Sequence, residues 1–291
     1  MDSIKRLKRV ERDDISLYVG RKNEIGLCFK DRELTKARGF NFSVLSEGVW
    51  YSLSETHIRC KAIEDRLELH ARFKNLPIVQ HWSIKLGQDN DLEWMVGLEV
   101  KRPVRIDALK GSLFLSKLYS AWFDAKANEA EFLDFTQKWQ VLSKIKGLDF
   151  IGAKSLDSGI PTLRLNLNGT KTALIQNTDL RFSSRVFELQ VGEKKELYET
   201  GVYPCLNVKI QLYPDKDVPE GFLKGIREEC KSVLAQKKEQ ELKRQVAEEK
   251  ARQEEELKRQ KEEEVRQEEE RKRQAENERR KQEELIRRIR M

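Results

Sequence analysis

The chain has 291 residues, 57 Lys and Arg against 50 Asp and Glu, and a formal net charge of +7. Charged residues make up 37% of it and hydrophobic residues 38%, but an aromatic fraction of 8%, with five Trp, excludes a wholly disordered chain. No apolar run reaches the roughly 18 residues of a transmembrane helix, and the start MDSIKRLKRVERDD lacks the apolar stretch of a secretory signal.

From the N-terminus onward, apolar and polar residues alternate with period two, the pattern of a half-buried strand. Strands are predicted near 15–20, 24–30 and 40–53. Ile58, Cys60 and Ala62 then alternate with His57, Arg59 and Lys61, and Leu67, Leu69, Ala71 and Phe73 alternate with Glu68, His70 and Arg72. Ile78, Gln80, Trp82, Ile84 and Leu86 share one side of the next run, and Leu92, Trp94, Val96, Leu98 and Val100 share one side of the run after it. Trp82 and Trp94 therefore belong to the core, while Trp50, Trp122 and Trp139 are read as loop anchors or as a sugar-stacking platform.

Matching apolar faces fixes a register, because a slip of one residue would turn them outward. A turn at Glu64-Asp65 opposes Cys60 to Leu69, a loop Lys74–Pro77 opposes Ala71 to Gln80, and a loop Gln88–Asn90 opposes Trp82 to Val96. Lys85 then falls opposite Glu93, a favourable cross-strand pair. The other face of the sheet carries a row Arg59, His70, His81, Gly97, with His57 opposite Arg72 and Glu99 diagonal to His81. All three histidines of the chain gather there. Imidazole, guanidinium and carboxylate groups can hydrogen-bond a polyol or clamp an anionic sugar, and a glycine beside His81 leaves space above the sheet. Arg59, His70, Arg72, His81, Gly97 and Glu99 are the candidate ligand-binding residues. A plain solvated sheet face is the alternative. No catalytic residue, metal ligand or cofactor is assigned, and no GxGxxG, GxSxG or HExxH motif occurs.

Further strands are predicted near 104–109, 112–118, 160–168, 170–176, 185–191 and 202–213, with a helical or loop excursion around Lys126–Lys138. Asn168-Gly169 between two alternating runs predicts a tight hairpin turn, since both central residues of a type I′ turn need positive φ. The fold class expected is mainly β: a large antiparallel β-sandwich over 1–215, followed by a long charged α-helix over 216–291. Cys28, Cys60, Cys205 and Cys230 show neither a disulfide framework nor zinc-ligand spacing, which points to a reducing, cytoplasmic setting.

The strand after Val100, the segment Leu115-Ser116-Lys117-Leu118-Tyr119, Trp122 in a loop, the acidic stretch Glu129–Asp134 and Trp139 follow the hairpin IKLGQDNDLEWMVGLEV. Over about residues 40–140 this resembles the large β-sandwiches of the galactose-mutarotase-like class. The resemblance implies an accessory or catalytic domain of a carbohydrate-active or glycan-assembly protein. The His and acidic pair that catalytic members use on a sugar ring has no residue-by-residue match here.

The C-terminal segment changes character. Residues 228–291 hold 20 Lys and Arg and 19 Asp and Glu, and no Gly, Pro or aromatic residue follows Gly225. Ten acid-first i,i+4 pairs run from Glu239–Lys243 to Glu284–Arg288, each contributing roughly 0.2–0.5 kcal/mol to a helix. The apolar residues Leu242, Val246, Leu257 and Val265 make a sparse seam. The segment resembles an ER/K-type single α-helix; a weak or partner-induced coiled coil and disorder are the other readings.

Three functions follow. The first is a non-catalytic carbohydrate-binding or glycan-processing accessory sandwich on a helical spacer. The second is a structural or scaffolding protein whose helix tethers or spaces a protein partner. The third is a sugar mutarotase or epimerase. The expected partners are a carbohydrate or glycan on the sheet face and a protein along the helix. With charges nearly balanced in the tail and dispersed in the body, no specific nucleic-acid partner is expected.

Overall fold

In a computed structural model the structure describes residues 8–126, 128–157, 159–167, 172–191 and 195–214. The chain divides into two units, Met1–Cys230 and Lys231–Met291, and every described residue lies in the first. The predicted charged helix over 216–291 lies outside the described residues.

The described strands run in chain order as follows. The N-terminal group is β1 (Lys8–Arg12), β2 (Ile15–Val19), β3 (Ile25–Phe29), β4 (Arg32–Glu33), β5 (Thr35–Ser46) and β6 (Val49–Tyr51). After a 3-10 turn at Leu53–Glu55 come β7 (Thr56–Ile63), β8 (Arg66–Phe73), β9 (Ile78–Leu86) and β10 (Asp91–Val100). The middle holds β11 (Val104–Ile106), β12 (Ala108–Leu115), β13 (Ala121–Asp124), β14 (Glu129–Glu131), β15 (Gln140–Lys146) and β16 (Phe150–Lys154). The last are β17 (Thr162–Asn166), β18 (Thr172–Asn177), β19 (Arg185–Val191), β20 (Lys195–Tyr198) and β21 (Gly201–Tyr213).

Two large sheets form a sandwich. One is ordered β1-β2-β3-β5-β12-β19-β18-β15, with β4 beside β3 and β6 beside β5. The other is ordered β14-β13-β16-β17-β21-β10-β9-β8-β7, and β11 pairs with β20 apart from both. Pairing is antiparallel except for one parallel contact of Ile25 with Gly39. Gly39 has a φ of +61°, and a Cβ there would lie 1.8 Å from the Ile25 carbonyl oxygen, so this approach requires glycine.

The core lies between the sheets. Trp94 of β10 is fully buried and meets the Phe40 ring of β5 edge-on, at 5.1 Å and 81°. Gln80 is the one polar residue in the inward row of β9, and it is buried because both ends of its amide are used. Its Nε2 donates to the Phe42 carbonyl at 3.3 Å, and its Oε1 accepts Trp82 Nε1 at 2.9 Å. A polar link thus crosses the sandwich inside an apolar core.

The register read from apolar matching of β7–β10 is the one observed. Cys60 pairs with Leu69, Ala71 with Gln80, Trp82 with Val96 and Glu93 with Lys85. The left-handed residues Glu64, at φ 48°, and Asn90, at φ 50°, lie in two of the three connections the sequence marked.

Elsewhere the sequence reading needs correction. Thr162–Asn166 and Thr172–Asn177 do not form a hairpin: the first pairs with β16 and β21, the second with β15 and β19, in opposite sheets. Asn168 and Gly169 themselves lie outside the described residues. Alternation was read correctly, but it does not say which strand is the partner. Around Lys126–Lys138 the loop rather than the helix of the two expected alternatives is found among the described residues, and the correction is the short edge strand Glu129–Glu131 within it. Trp122 lies in buried strand β13, not in a loop, and β15 and β16 were not foreseen.

Candidate functional site

The outward face of the second sheet is built from the alternate residues of β7–β10 that the core rejects. His70 stands between Arg59 and His81, and His81 between His70 and Gly97. The two imidazoles meet edge to face, 4.7 Å apart at 73°. His81 Nε2 hydrogen-bonds Glu99 Oε2 at 2.9 Å, and Glu99 Oε1 accepts the Lys101 ammonium. The Lys101 bond, then the His81 bond, hold the Glu99 carboxyl below its ordinary range. Glu99 is therefore a charged anchor that fixes the orientation of His81.

Gly97 lies beside His81 and opposite Pro204 of β21, at a bulge in that pairing. A Cβ at Gly97 would meet only the Tyr203 carbonyl oxygen, at an ordinary 3.5 Å. The missing side chain thus leaves open ground over the sheet. Arg59, His70 and Arg72 are exposed, and His81 and Glu99 are partly covered. Arg72 is one step away from the histidine row, opposite His57 on one side and Val79 on the other. Neither Arg59 nor Arg72 makes an ion pair among the described residues. All six candidate residues share one face, and a hydrogen bond joins two of them, His81 and Glu99.

Lys101 was missed by the sequence reading. It lies two residues beyond Glu99, so extending the period of two past the end of β10 places it on the same face. The β21 neighbours of Glu99 and Gly97, Val202 and Pro204, had no such signal, because their strand joins from about a hundred residues away.

The tryptophans considered as sugar platforms are elsewhere. Trp50 is 43% exposed on β6 of the first sheet, with Lys110 Nζ 4.2 Å over its ring. Trp139 donates its indole N–H to Gln176 beside the same sheet. Trp82 and Trp94 are core. Among the described residues, no three His, Cys, Asp or Glu are grouped to hold a metal ion, and no helix is long and apolar enough to cross a membrane.

No protein-family model matches the chain. No curated protein matches it in sequence. Among solved structures, it is similar to a galactose mutarotase-like protein from Lactobacillus casei, at 9% identity and a TM-score of 0.45, over 71% of this chain and 99% of that one. It is also similar to an α-N-acetylgalactosaminidase from Bifidobacterium bifidum, at 8% identity and a TM-score of 0.49, over 72% of this chain and 36% of that one. For a 4-α-glucanotransferase from Thermococcus litoralis the identity is 10% and the TM-score 0.44, over 71% of this chain and 37% of that one. The chain thus spans little more than a third of these last two proteins. Likeness at this level does not choose a ligand.

Proposed function

We propose that the described unit is a non-catalytic carbohydrate-binding or glycan-processing accessory module, its ligand lying on the outward face of β7–β10 above Gly97. The observation that carries this reading is the oriented His81, hydrogen-bonded to Glu99 and flanked by a bare glycine. A polyol needs donors and acceptors fixed in direction beside a surface it can approach closely. His81, His70, Arg59 and Arg72 supply the polar groups, and Gly97 the approach.

We further propose that residues 216–291 form a helical spacer and that the protein works in the reducing cytoplasm. The scaffolding alternative draws on the ten acid-first pairs of the tail, which support a helix without a tertiary partner. Probing the full chain on a glycan array tests the binding reading. Glycan binding that is lost in His81→Ala and weakened in His70→Ala is expected. Binding to no glycan, or binding indifferent to His81, would overturn it. Anomer interconversion lost in His81→Ala would favour the enzyme instead, and a protein partner captured by the tail without any glycan binding would favour the scaffold.

A further inference from the structure

A second feature adjoins the histidine row. The loop between β8 and β9 and the end of β10 enclose a concavity of about 620 Å³, within the ~300–1,000 Å³ of small-molecule sites. Lys101 N–H donates to the Pro77 carbonyl at 2.8 Å, so the two walls are tied together. Phe73 and Ile78 form its buried apolar part, and Arg72, Lys74, Lys101 and Arg102 also line it. No acidic side chain is among its lining residues.

Three of these four cations are uncompensated among the described residues. Arg72, Lys74 and Arg102 make no ion pair or side-chain hydrogen bond with any described residue, whereas Lys101 bonds Glu99. Like charges held around one depression repel each other, and low-dielectric walls focus their field on whatever enters. A bound anion would relieve that repulsion, and two guanidinium forks match the oxygens of a tetrahedral oxyanion. Arg72 and Lys101 join the concavity to the ligand face. Arg72 stands one row from His70, and Lys101 holds the carboxylate that orients His81.

We infer that this concavity receives a phosphate or sulfate ester, and that the ligand of the histidine face is an anionic saccharide carrying that ester toward Arg72 and Arg102. This rests on the carbohydrate-binding reading for the sugar, though not for the anion.

Calorimetry on the full chain at low salt, with inorganic phosphate and inorganic sulfate as probes, tests the anion site. One of the two anions is expected to bind, and the stronger identifies the ester. The double substitution Arg72→Gln, Arg102→Gln should weaken binding on the order of tenfold, while Lys144→Gln, which removes an exposed cation of β15 in the first sheet, leaves it unchanged. Both arginines are exposed and make no side-chain bond among the described residues, so a circular dichroism spectrum matching that of the parent protein is expected and would separate loss of binding from loss of fold. Absence of binding by either anion, or binding that survives the double substitution, overturns the inference. Glycan binding lost in His81→Ala with no anion binding would sink the anion site alone. Anion binding lost in the double variant with no glycan binding would keep the site and remove the saccharide from it.

Discussion

At the residue scale, the site depends on how one carboxylate and one glycine are used. Glu99 has a folded-state pKa below its ordinary value, so its bonds to Lys101 and His81 are complete at pH values above the normal carboxylate range. They are lost only as pH falls through the depressed value, when protonation removes the acceptor charge. Because Lys101 is the larger cause, Lys101→Ala should raise the Glu99 pKa more than His81→Ala does, as read by NMR titration of the side-chain carboxyl. Two glycines of the second sheet, Gly97 and Gly152, should behave oppositely. A Cβ at Gly97 finds ordinary contact, so Gly97→Ala should fold with unchanged or slightly raised stability, and Gly97→Leu should fold yet block the proposed ligand face. A Cβ at Gly152 would lie 2.2 Å from the Phe123 ring and 2.6 Å from the Leu163 carbonyl oxygen. Gly152→Ala should therefore cost about 1–3 kcal/mol in denaturant unfolding.

At the scale of elements, the four-strand run β7–β10 was legible because its partners are sequence neighbours joined by short turns. The alternating faces of Leu69, Gln80, Trp82 and Val96 permit one register, and that register fixes where Arg59, His70, His81 and Gly97 stand. Legibility stopped where pairing became non-local. Asn168-Gly169 is a strong local turn signal, yet its flanking strands belong to opposite sheets, because β21 offers Thr162–Asn166 a partner that no local pattern reveals. The basic concavity escaped for a related reason: Arg72 and Arg102 are thirty residues apart and line one concavity only because β8, β9 and β10 fold back on one another. The apolar contact between the sheets is open to direct test. Trp94 is fully buried against Phe40, so Trp94→Ala should destabilise the protein by about 3–5 kcal/mol, measured by chemical denaturation.

At the scale of the whole molecule, β21 decides how much chain the sandwich needs. It is the last described strand, yet it lies between β17 and β10, with the β7–β10 run on one side and β14, β13, β16 and β17 on the other. Its inward residues Leu206, Val208, Ile210 and Leu212 are all buried. Without it the two halves of the second sheet would expose facing edges and a strip of core to water. It also supplies Pro204 beside Gly97, so the proposed ligand face is finished only when the chain reaches this strand. A fragment 1–200 should therefore fail to fold cooperatively, whereas a fragment 1–214 retains every described strand and should melt within a few degrees of the full chain. Scanning calorimetry of the two fragments checks this. A cooperative transition in the shorter fragment would mean that the two halves of the second sheet do not depend on β21, and loss of the transition in the longer one would make the charged segment part of the fold.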